Sequence, residues 1–394
     1  MQHRAIGVLA VAVLAGLTLT ACEPAELVVT KTADTNDGRC DQDCSLREAV
    51  LAANARPGRD LVKVPSGTYR LTRAGIGEDA GATGDLDVTD DLVLQGRGAS
   101  TTVIDGLVPG ASVVRVLDVH AGTVSVRDLT LQHGRGEGGG ANGGAVRNNA
   151  ALELVDVVVR DSSAENSGGG IDSVPRGGAA VSLTLIRSTV AGNTNTEEGS
   201  GIRSGGRLVL IDSAVLDNHN NDGYGGGIYV SGTGEVLDSR IEGNTNLCGG
   251  GLYNLGDLVV RRTAVVENTA VSGPAGIDNR GTLVVSDSDV LYNRSAVGGG
   301  GLGNLGGSVR LERVTVAGNV AEDNELNDCG TGSAGGGLLN TPAFDGTIGR
   351  FVLQDSTIAY NTDVGGEAPD CAGVFVDAGG NSIGSRRGCS LFVP

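Results

Sequence analysis

Two stretches of the sequence decide its fold: GGLYNLGDLVVRRTAVVEN at residues 250–268 and AGIDNRGTLVVSDSDVLYN at residues 275–293. Each begins with small residues and an aliphatic residue, continues through a run of small aliphatics, and ends with an aliphatic residue three positions before an asparagine. Self-similarity at a fixed period is typical of solenoid proteins, in which each unit buries its apolar face against its neighbours. These stretches therefore predict a repeat protein.

The same unit recurs along most of the chain, with a period of about 25 residues and two insertions. Its first marker is a short glycine-containing cluster followed by an aliphatic residue, at Val146, Ile171, Ile202, Ile228, Leu252, Ile277, Leu302 and Leu338. Its second marker is an asparagine, at Asn193, Asn218, Asn244, Asn268, Asn293, Asn319 and Asn361. The segments between these markers predict three strands of roughly three to five residues per unit, because they are too short and too β-branched for helices.

A parallel β-helix with one unit per coil accommodates this pattern. A leucine-rich repeat has a similar period, but its helical side would need helix formers where this chain has Gly, Ser, Thr and Asn. Parallel coils stack about 4.8 Å apart, and the repeats correspond to about eleven to thirteen coils. Asparagine at the same corner of every coil predicts a structural ladder that joins the coils, rather than a sugar or ion site.

Composition and charge exclude several classes of protein. The chain has 394 residues, of which 67 are glycine and ten are aromatic (six Tyr and four Phe). Hydrophobic residues make up 39% of the chain, enough to bury a core, so a disordered chain is excluded. The net charge is −18 without any basic run, which excludes a nucleic-acid surface. Because aromatic residues are so few, we expect no aromatic platform on which a sugar could stack. We also expect the protein to be a monomer.

The first residues predict the compartment. Residues 1–21 have a short polar start and an apolar run, as in a secretory signal peptide. The string Leu19-Thr20-Ala21-Cys22 resembles a bacterial lipobox, which implies lipidation of Cys22 and an extracytoplasmic, membrane-anchored protein. The alternative is a plain cleavage site. We expect residues 22–30 to be the lipidated tether and the start of a cap.

A helix precedes the repeats. The string CSLREAVLAAN at residues 44–54 has Ser45 as N-cap and Glu48 three residues later, which is a capping box. The helix has one apolar face and ends before Pro57-Gly58. A short helix of this kind would cover the open end of a solenoid, where strand edges and the core are otherwise exposed.

This stretch resembles the CSLREA-type domain of bacterial β-helix surface proteins. The resemblance extends over residues 32–38, 67–71, 84–88 and 102–106, and it makes residues 31–105 a cap with the first coils. The repeats at residues 106–394 resemble those of polymorphic outer-membrane proteins, in which Phe usually stands where this chain has an aliphatic residue before the asparagine marker. The resemblance implies an all-β, right-handed, pectin-lyase-like parallel β-helix with a short N-terminal capping helix.

Six cysteines follow Cys22: Cys40, Cys44, Cys248, Cys329, Cys371 and Cys389. An even number in an exported chain predicts disulfides, although six cysteines allow 15 connectivities. Their closeness in sequence favours Cys40 with Cys44 and Cys371 with Cys389. The end of the chain also resembles the closing segment of such surface proteins, which supports the second pair. Cys248 and Cys329 pair with each other or stay free.

The candidate residues for catalysis do not form a recognisable motif. Pairs of carboxylates that are close in sequence occur as Asp85 with Asp87, Asp90 with Asp91, and Asp287 with Asp289. We interpret the first pair as cap residues, the second as turn residues and the third as surface residues. A glycosidase needs two carboxylates about 5–10 Å apart. The histidines His120, His133 and His219 are far apart in sequence, without the spacing of metal ligands.

Calcium is the one cofactor that the sequence raises. Asp34, Asn36 and Asp37 resemble part of a calcium loop but lack the distal Glu of an EF-hand, so we interpret them first as a turn and second as a Ca²⁺ site. Loops after the asparagine marker are also acidic, which favours a solvated border over a Ca²⁺ or basic-partner surface.

These observations lead to the hypothesis of a lipid-anchored β-helix that acts in surface display, adhesion or binding of a glycan or surface protein, without a catalytic centre or cofactor. The alternative is a polysaccharide lyase or glycoside hydrolase on the same scaffold. A third interpretation is a purely structural envelope protein.

Overall fold

The computed structural model describes residues 26–75, 77–107, 115–138, 141–178, 180–220, 222–296, 298–322, 335–343 and 345–393. Within these ranges the named strands pair only in parallel, mostly with the equivalent strand of the next coil. One helix, at Leu46–Asn54, precedes the repeats. The prediction of an all-β, right-handed parallel β-helix with a short N-terminal helix is confirmed.

Four rows of strands run along the rod, and each is named by its order within a coil. The first row consists of Leu86–Val88, Leu117–Val119, Val146–Asn148, Ile171–Ser173, Ile202–Ser204, Ile228–Val230, Leu252–Asn254, Ile277–Asn279, Leu302–Leu305, Leu338–Thr341 and Cys371–Asp377. The second row consists of Glu26–Val28, Asp60–Lys63, Leu92–Gln95, Thr123–Arg127, Ala151–Val155, Ser182–Ile186, Arg207–Ile211, Thr233–Leu237, Asp257–Arg261, Thr282–Ser286, Ser308–Glu312, Arg350–Gln354 and Cys389–Phe392.

The third and fourth rows complete each coil. The third row consists of Gly67–Arg70, Thr102–Asp105, Thr130–Gln132, Val158–Arg160, Thr189–Ala191, Ala214–Leu216, Arg240–Glu242, Ala264–Val266, Asp289–Leu291, Thr315–Ala317, Thr357–Ala359 and Ser382–Ile383. The fourth row consists of Arg135–Gly136, Ser163–Ala164, Thr245–Asn246, Thr269–Ala270, Arg294–Ser295, Val320–Ala321 and Thr362–Asp363. The expected three strands per unit omit this fourth row, whose two-residue strands carry no alternation that a sequence pattern could detect.

The core is a stack of small aliphatic side chains. In one coil, Leu252 of the first row, Leu258 and Val260 of the second row and Val265 of the third row point inward and are buried. Each has an equivalent in the next coil, as Leu252 has Ile277. Because successive strand residues point to opposite faces, the middle residue of each three-residue strand in the first row points outward.

The asparagine markers form a continuous ladder inside the rod. Each side-chain amide donates to the carboxamide oxygen of the asparagine one coil further on, over 2.9–3.0 Å, from Asn193 to Asn361. The same oxygen accepts the backbone N–H of the preceding asparagine, as Asn293 does from Asn268 at 3.0 Å. The ladder ends on Asp370, whose Oδ1 accepts from Asn361 at 2.9 Å. The side chains therefore satisfy one another's polar groups in a buried corner.

The N-terminal helix begins with the capping box. The Ser45 hydroxyl accepts from Glu48 N at 3.2 Å, and a Glu48 carboxylate oxygen accepts from Ser45 N at 2.7 Å. The inward face of the helix, with Ala49, Val50 and Ala53, joins the core at the open end of the rod.

The disulfides tie both ends. Cys40 is bonded to Cys44, and Cys371 is bonded to Cys389. Cys248 is also disulfide-bonded. Cys329, together with the signal peptide and the lipidation site Cys22, lies outside the described residues. Among the described residues, no helix has the length and apolar character that a membrane crossing requires.

Replacing Asn268 with alanine is expected to destabilise the rod strongly. The change leaves both buried Asn244 donors and the Ile241 carbonyl oxygen without their partner. Each unsatisfied buried group costs about 1–3 kcal/mol, so we expect a loss on the order of 3–5 kcal/mol in the free energy of unfolding. The exposed neighbour Glu267 is the control, because Glu267→Ala should change stability by less than about 0.5 kcal/mol. Denaturant unfolding compares the two, and equal stabilities would contradict a supporting role for the ladder.

Candidate functional site

The outward residues of the first row form a line along one face of the rod, which we call the outward ladder. Its members stack in register from coil to coil: Asp87, Asp118, Arg147, Asp172, Arg203, Tyr229, Tyr253, Asp278 and Gly303. Core packing does not require charge or aromatic rings at outward positions. A line of charged and aromatic side chains there therefore indicates a function other than packing.

A cluster of ionisable groups occupies the N-terminal end of the outward ladder. His120 Nε2 lies 2.7 Å from Asp87 Oδ1 and 3.8 Å from Asp118 Oδ2. Arg115 Nη1 contacts Asp85 Oδ2 at 2.7 Å and Asp118 Oδ2 at 2.9 Å. Together with Arg147 and Asp79, these residues form what we call the acid–histidine cluster.

The cluster opens to solvent on one side. Arg147 pairs with Asp118 and lies 3.6 Å from Asp79. The side chains of Asp87 and Asp118 are almost completely buried, whereas those of His120, Arg147 and Asp79 are 26%, 19% and 67% exposed. A ligand on the solvent side of the cluster would therefore meet the imidazole, one guanidinium and one carboxylate, with the other acids behind them.

The N-terminal cap positions this cluster through a buried arginine. Arg47 binds both carboxylate oxygens of Asp34, at 2.7 and 3.2 Å, and donates to the carbonyl oxygens of Gly81, Gly84 and Asp85. These bonds hold the chain just before Asp87, and the backbone N–H of Gly81 then donates to Asp87 Oδ2 at 2.8 Å. Because Arg47 lies within the capping helix, this helix helps to position the residues of the cluster.

Burial and neighbouring charges shift the ionisation of the cluster. Burial raises the pKa of Asp85 from 3.8 to about 6, against the opposing effect of Arg115. The hydrogen bond to Asp87 raises the pKa of His120 above 6.5, and the nearby Asp118 and Asp79 act in the same direction. Burial also raises the pKa of Asp87. The cluster therefore holds protons into the near-neutral range, where general acid and base groups are effective.

Four ligand atoms of the cluster could surround a cation. The nearest oxygen or nitrogen atoms of Asp79, Asp87, Asp118 and His120 lie within 4.8 Å of one another. However, Arg147 already pairs with Asp118 and approaches Asp79, and Arg115 binds Asp118 as well. Guanidinium groups therefore supply positive charge where a metal ion would lie, and these residues do not form a ready cation site.

The line continues with charged pairs and then with tyrosines. Asp172 binds both Arg176 and Arg203, and Arg203 Nε lies 3.3 Å from a carboxylate oxygen of Glu198. The next two members, Tyr229 and Tyr253, stack with their ring centroids 5.5 Å apart. Register gathers half of the six tyrosines, counting Tyr224 beside Tyr253, at one place, although the sequence has few aromatic residues.

The other predicted candidates lie elsewhere. Asp90 and Asp91 are turn residues whose carboxylates accept backbone N–H groups. Asp287 pairs with Arg313 at an exposed corner, and Asp289 is an exposed residue of the third row. His133 contacts Asp105 at 3.0 Å next to the third row, and His219 is exposed on the fourth-row side of the rod.

The calcium-like string is a turn. Asp34 is occupied by Arg47, while Asn36 and Asp37 accept the backbone N–H groups of Gly38 and Arg39. Their side chains are thus used within the chain itself. The interpretation of Asp85 and Asp87 as cap residues captured their proximity to the cap, but not the contacts of Asp87 with His120 and of Asp85 with Arg115.

A signal for the cluster was present in the sequence. The tripeptide Leu-Asp-Val occurs at residues 86–88 and again at 117–119, and His120 follows the second copy directly. One coil separates the two copies, so their aspartates are neighbours in the outward ladder. The repeat markers begin only at Val146, so they do not reveal these two earlier coils.

Comparisons with known proteins identify the fold but not a family. No family model and no curated protein sequence matches the chain. Among solved structures, the A-module of the Azotobacter vinelandii mannuronan C-5 epimerase AlgE4 is similar, with 16% identity, coverage of 91% of this chain and 96% of that chain, and a TM-score of 0.50. The pectate lyase Pel9A is also similar, with 14% identity, coverage of 73% and 77%, and a TM-score of 0.46. At these identities the likeness shows the fold.

The hypothesis of a display or adhesion protein without a catalytic centre is wrong. The mannuronan C-5 epimerase module, which has the same fold, is by name an enzyme that acts on a polysaccharide. The absence of an acid–base constellation, on which that hypothesis depended, is also incorrect. Coil-to-coil register assembles one from Asp85, Asp87, Asp118 and His120.

The pH dependence of stability should report the buried Asp85. A carboxyl whose pKa is higher in the folded state stabilises the fold fully below its unfolded pKa, and this contribution is lost as the pH rises through about 6. Relative to Asp85→Asn, the wild type should therefore lose up to about 3 kcal/mol of stability between about pH 4 and pH 7. Urea unfolding of both proteins across this range measures the difference. The exposed Asp257→Asn controls for net charge, and a wild-type to Asp85→Asn gap that does not change with pH would contradict this assignment.

Proposed function

We propose that this protein is an enzyme that acts on an acidic polysaccharide by removing the C5 proton of a uronate unit, as a lyase or an epimerase. The observation that carries the proposal is the acid–histidine cluster, in which a His–Asp pair and a partly exposed arginine meet at the N-terminal end of the outward ladder. The fold shared with a mannuronan C-5 epimerase supports this class of substrate. The hydrogen bond on Nε2 leaves Nδ1 of His120 as the base.

His120 has the features of a general base. With Asp87 ionised, Nε2–H donates to Asp87 Oδ1 at 2.7 Å, and the free electron pair lies on Nδ1. No described residue hydrogen-bonds to Nδ1. Asp87 then orients the ring and stabilises the imidazolium that forms when Nδ1 accepts a proton.

Arg147 supplies the matching electrophilic group. When a base removes the proton at C5, negative charge develops on the adjacent carboxylate of the sugar. The guanidinium of Arg147 lies within the cluster, partly exposed, and can bind that carboxylate in two-point fashion. Asp118 holds Arg147 in position before the reaction. The guanidinium can therefore stabilise the negative charge that develops on the sugar carboxylate in the transition state without first reorienting.

The two outcomes share this first step. In elimination, the C5 electron pair forms a double bond to C4, the bond between C4 and the glycosidic oxygen breaks, and the leaving oxygen takes a proton from solvent. In epimerisation, C5 regains a proton from the opposite face. Product analysis therefore distinguishes a lyase from an epimerase without changing the roles of His120 and Arg147.

The disulfides support a location outside the cytoplasm. Disulfide bonds persist in oxidising environments outside the cytoplasm, where extracellular polysaccharides are found. This supports an extracytoplasmic enzyme. The lipid anchor on Cys22 and the membrane attachment that it implies are part of the same proposal.

Activity should depend on His120. We expect turnover of mannuronan, alginate or polygalacturonate by the wild type, and a loss of about 10²–10⁴-fold in kcat for His120→Ala, since this is the usual contribution of a general base. Ultraviolet absorbance of the unsaturated product detects elimination, and proton exchange from deuterated water into C5 detects epimerisation. Because the pKa of His120 is raised, activity should increase with pH through a value above 6.5.

The second histidine of the same kind is the matched control. His133 also contacts an aspartate, at 3.0 Å, and its side chain is 34% exposed, but it lies beside the third row. His133→Ala should keep full activity. Full activity of His120→Ala, or action by the wild type only on neutral polysaccharides through hydrolysis, would contradict the proposal.

A further inference from the structure

We infer that Tyr224, Tyr229 and Tyr253 form a binding subsite for a sugar unit of the same polysaccharide chain, several units away from the one that reacts. This inference rests on the proposed function. It concerns residues outside the acid–histidine cluster, and it assigns the tyrosine part of the outward ladder to chain binding.

The three rings form one compact aromatic surface. Tyr229 and Tyr253 are neighbours in the outward ladder, with an interplanar angle of 4°. Tyr224 packs against Tyr253 with a centroid distance of 5.1 Å and an angle of 52°. Tyr253 is only 4% exposed, Tyr229 is half-buried and Tyr224 is 37% exposed. Tyr253 thus lies at the base of the surface, and Tyr224 is its most accessible ring.

Tyr229 and Tyr253 pack with Cys248 and Leu247 in a small hydrophobic cluster that is separate from the aliphatic core. Their positions point away from the aliphatic core, and the chain has ten aromatic residues in total. None of the described residues hydrogen-bonds to the three hydroxyl groups, so these groups remain available to a ligand. An aromatic side chain combines a large apolar area with a polar tip, which suits a sugar with apolar C–H faces and hydroxyl groups.

Charged groups on both sides match an acidic sugar. The Arg280 guanidinium lies 5.0 Å from the Tyr253 ring centroid and 3.3 Å from Asp278. On the other side, Arg203 lies in the ladder directly before Tyr229. Oδ1 of Asp278 is buried and has no hydrogen-bond partner among the described residues. Arg203 and Arg280, which are paired with carboxylates of the chain, thus place positive charge on both sides of the rings, next to a buried acceptor.

The distance to the acid–histidine cluster fits an extended chain. Three coil steps separate Arg147 from Tyr229, and four separate it from Tyr253. At about 4.8 Å per coil, these steps span about 14 and 19 Å. A ligand must therefore be a linear polymer that follows the rod axis in order to contact both places. Short oligomers at the cluster would not reach the tyrosines.

Binding to an inactive variant tests the subsite independently of turnover. In the His120→Ala background, we expect Tyr224→Ala and Tyr229→Ala each to weaken binding of long oligouronides about tenfold by calorimetry, as the loss of an aromatic contact predicts. Binding of the shortest oligomers that bind should not change. Tyr360→Ala is the control, since this tyrosine is 89% exposed at a different corner.

Further readouts keep the test decisive if an alanine variant misfolds. The conservative variant Tyr224→Phe should fold and keep most of the affinity. Because the chain has no tryptophan, the change in tyrosine fluorescence reports ligand binding directly. In the otherwise wild-type enzyme, Tyr224→Ala should raise KM for polymer about tenfold with little change in kcat.

Three results would overturn the inference. Unchanged affinity for long chains in Tyr224→Ala and Tyr229→Ala would do so while leaving the proposed function intact. An equal loss in Tyr360→Ala would also do so. Absence of both binding and turnover with every acidic polysaccharide would overturn the proposed function together with the subsite.

Discussion

The register between parallel coils is the constraint on which the rest of the molecule depends. Each strand hydrogen-bonds to its equivalent one coil away, so a residue type that recurs once per coil becomes a continuous line about 4.8 Å in step. Side chains in the lines that face inward must pack in the core, whereas side chains in the lines that face outward can bind a ligand or take part in catalysis. The ladder of asparagines and the outward ladder of charged and aromatic residues are two products of the same constraint.

The inward lines tolerate little variation. An inward asparagine such as Asn268 has both its amide and its oxygen engaged by adjacent coils, so every coil must supply the same group. The aliphatic lines repeat for a related reason, because a side chain such as Leu252 is enclosed above and below by its equivalents. This uniformity explains why the repeat is visible in the sequence. It also explains why glycine is abundant, since residues such as Gly251 lie against a neighbouring coil where a Cβ would collide with backbone.

The same contrast explains what could be predicted from the sequence. The period of markers such as Asn244 and Asn268 predicted the β-helix and the stacking ladder, because inward lines impose strict repetition. The capping box of Ser45 and Glu48 separately predicted the helix. The acid–histidine cluster was not predicted, because outward residues repeat only when function demands it. Its members come from coils with irregular spacing, and Arg47 reaches them from the cap through backbone carbonyl oxygens that no side-chain pattern reveals. The cluster of tyrosines was not predicted, because Tyr229 and Tyr253 are 24 residues apart in sequence and become neighbours only through the register between coils.

A crystal structure of the His120→Ala variant with a bound oligouronide tests the central claim most directly, because it shows where the polymer lies without requiring turnover. The account predicts sugar density along the outward ladder, with one carboxylate on Arg147 and another unit against Tyr224 and Tyr229. Density on a different face of the rod, or across the ladder rather than along it, would contradict the account.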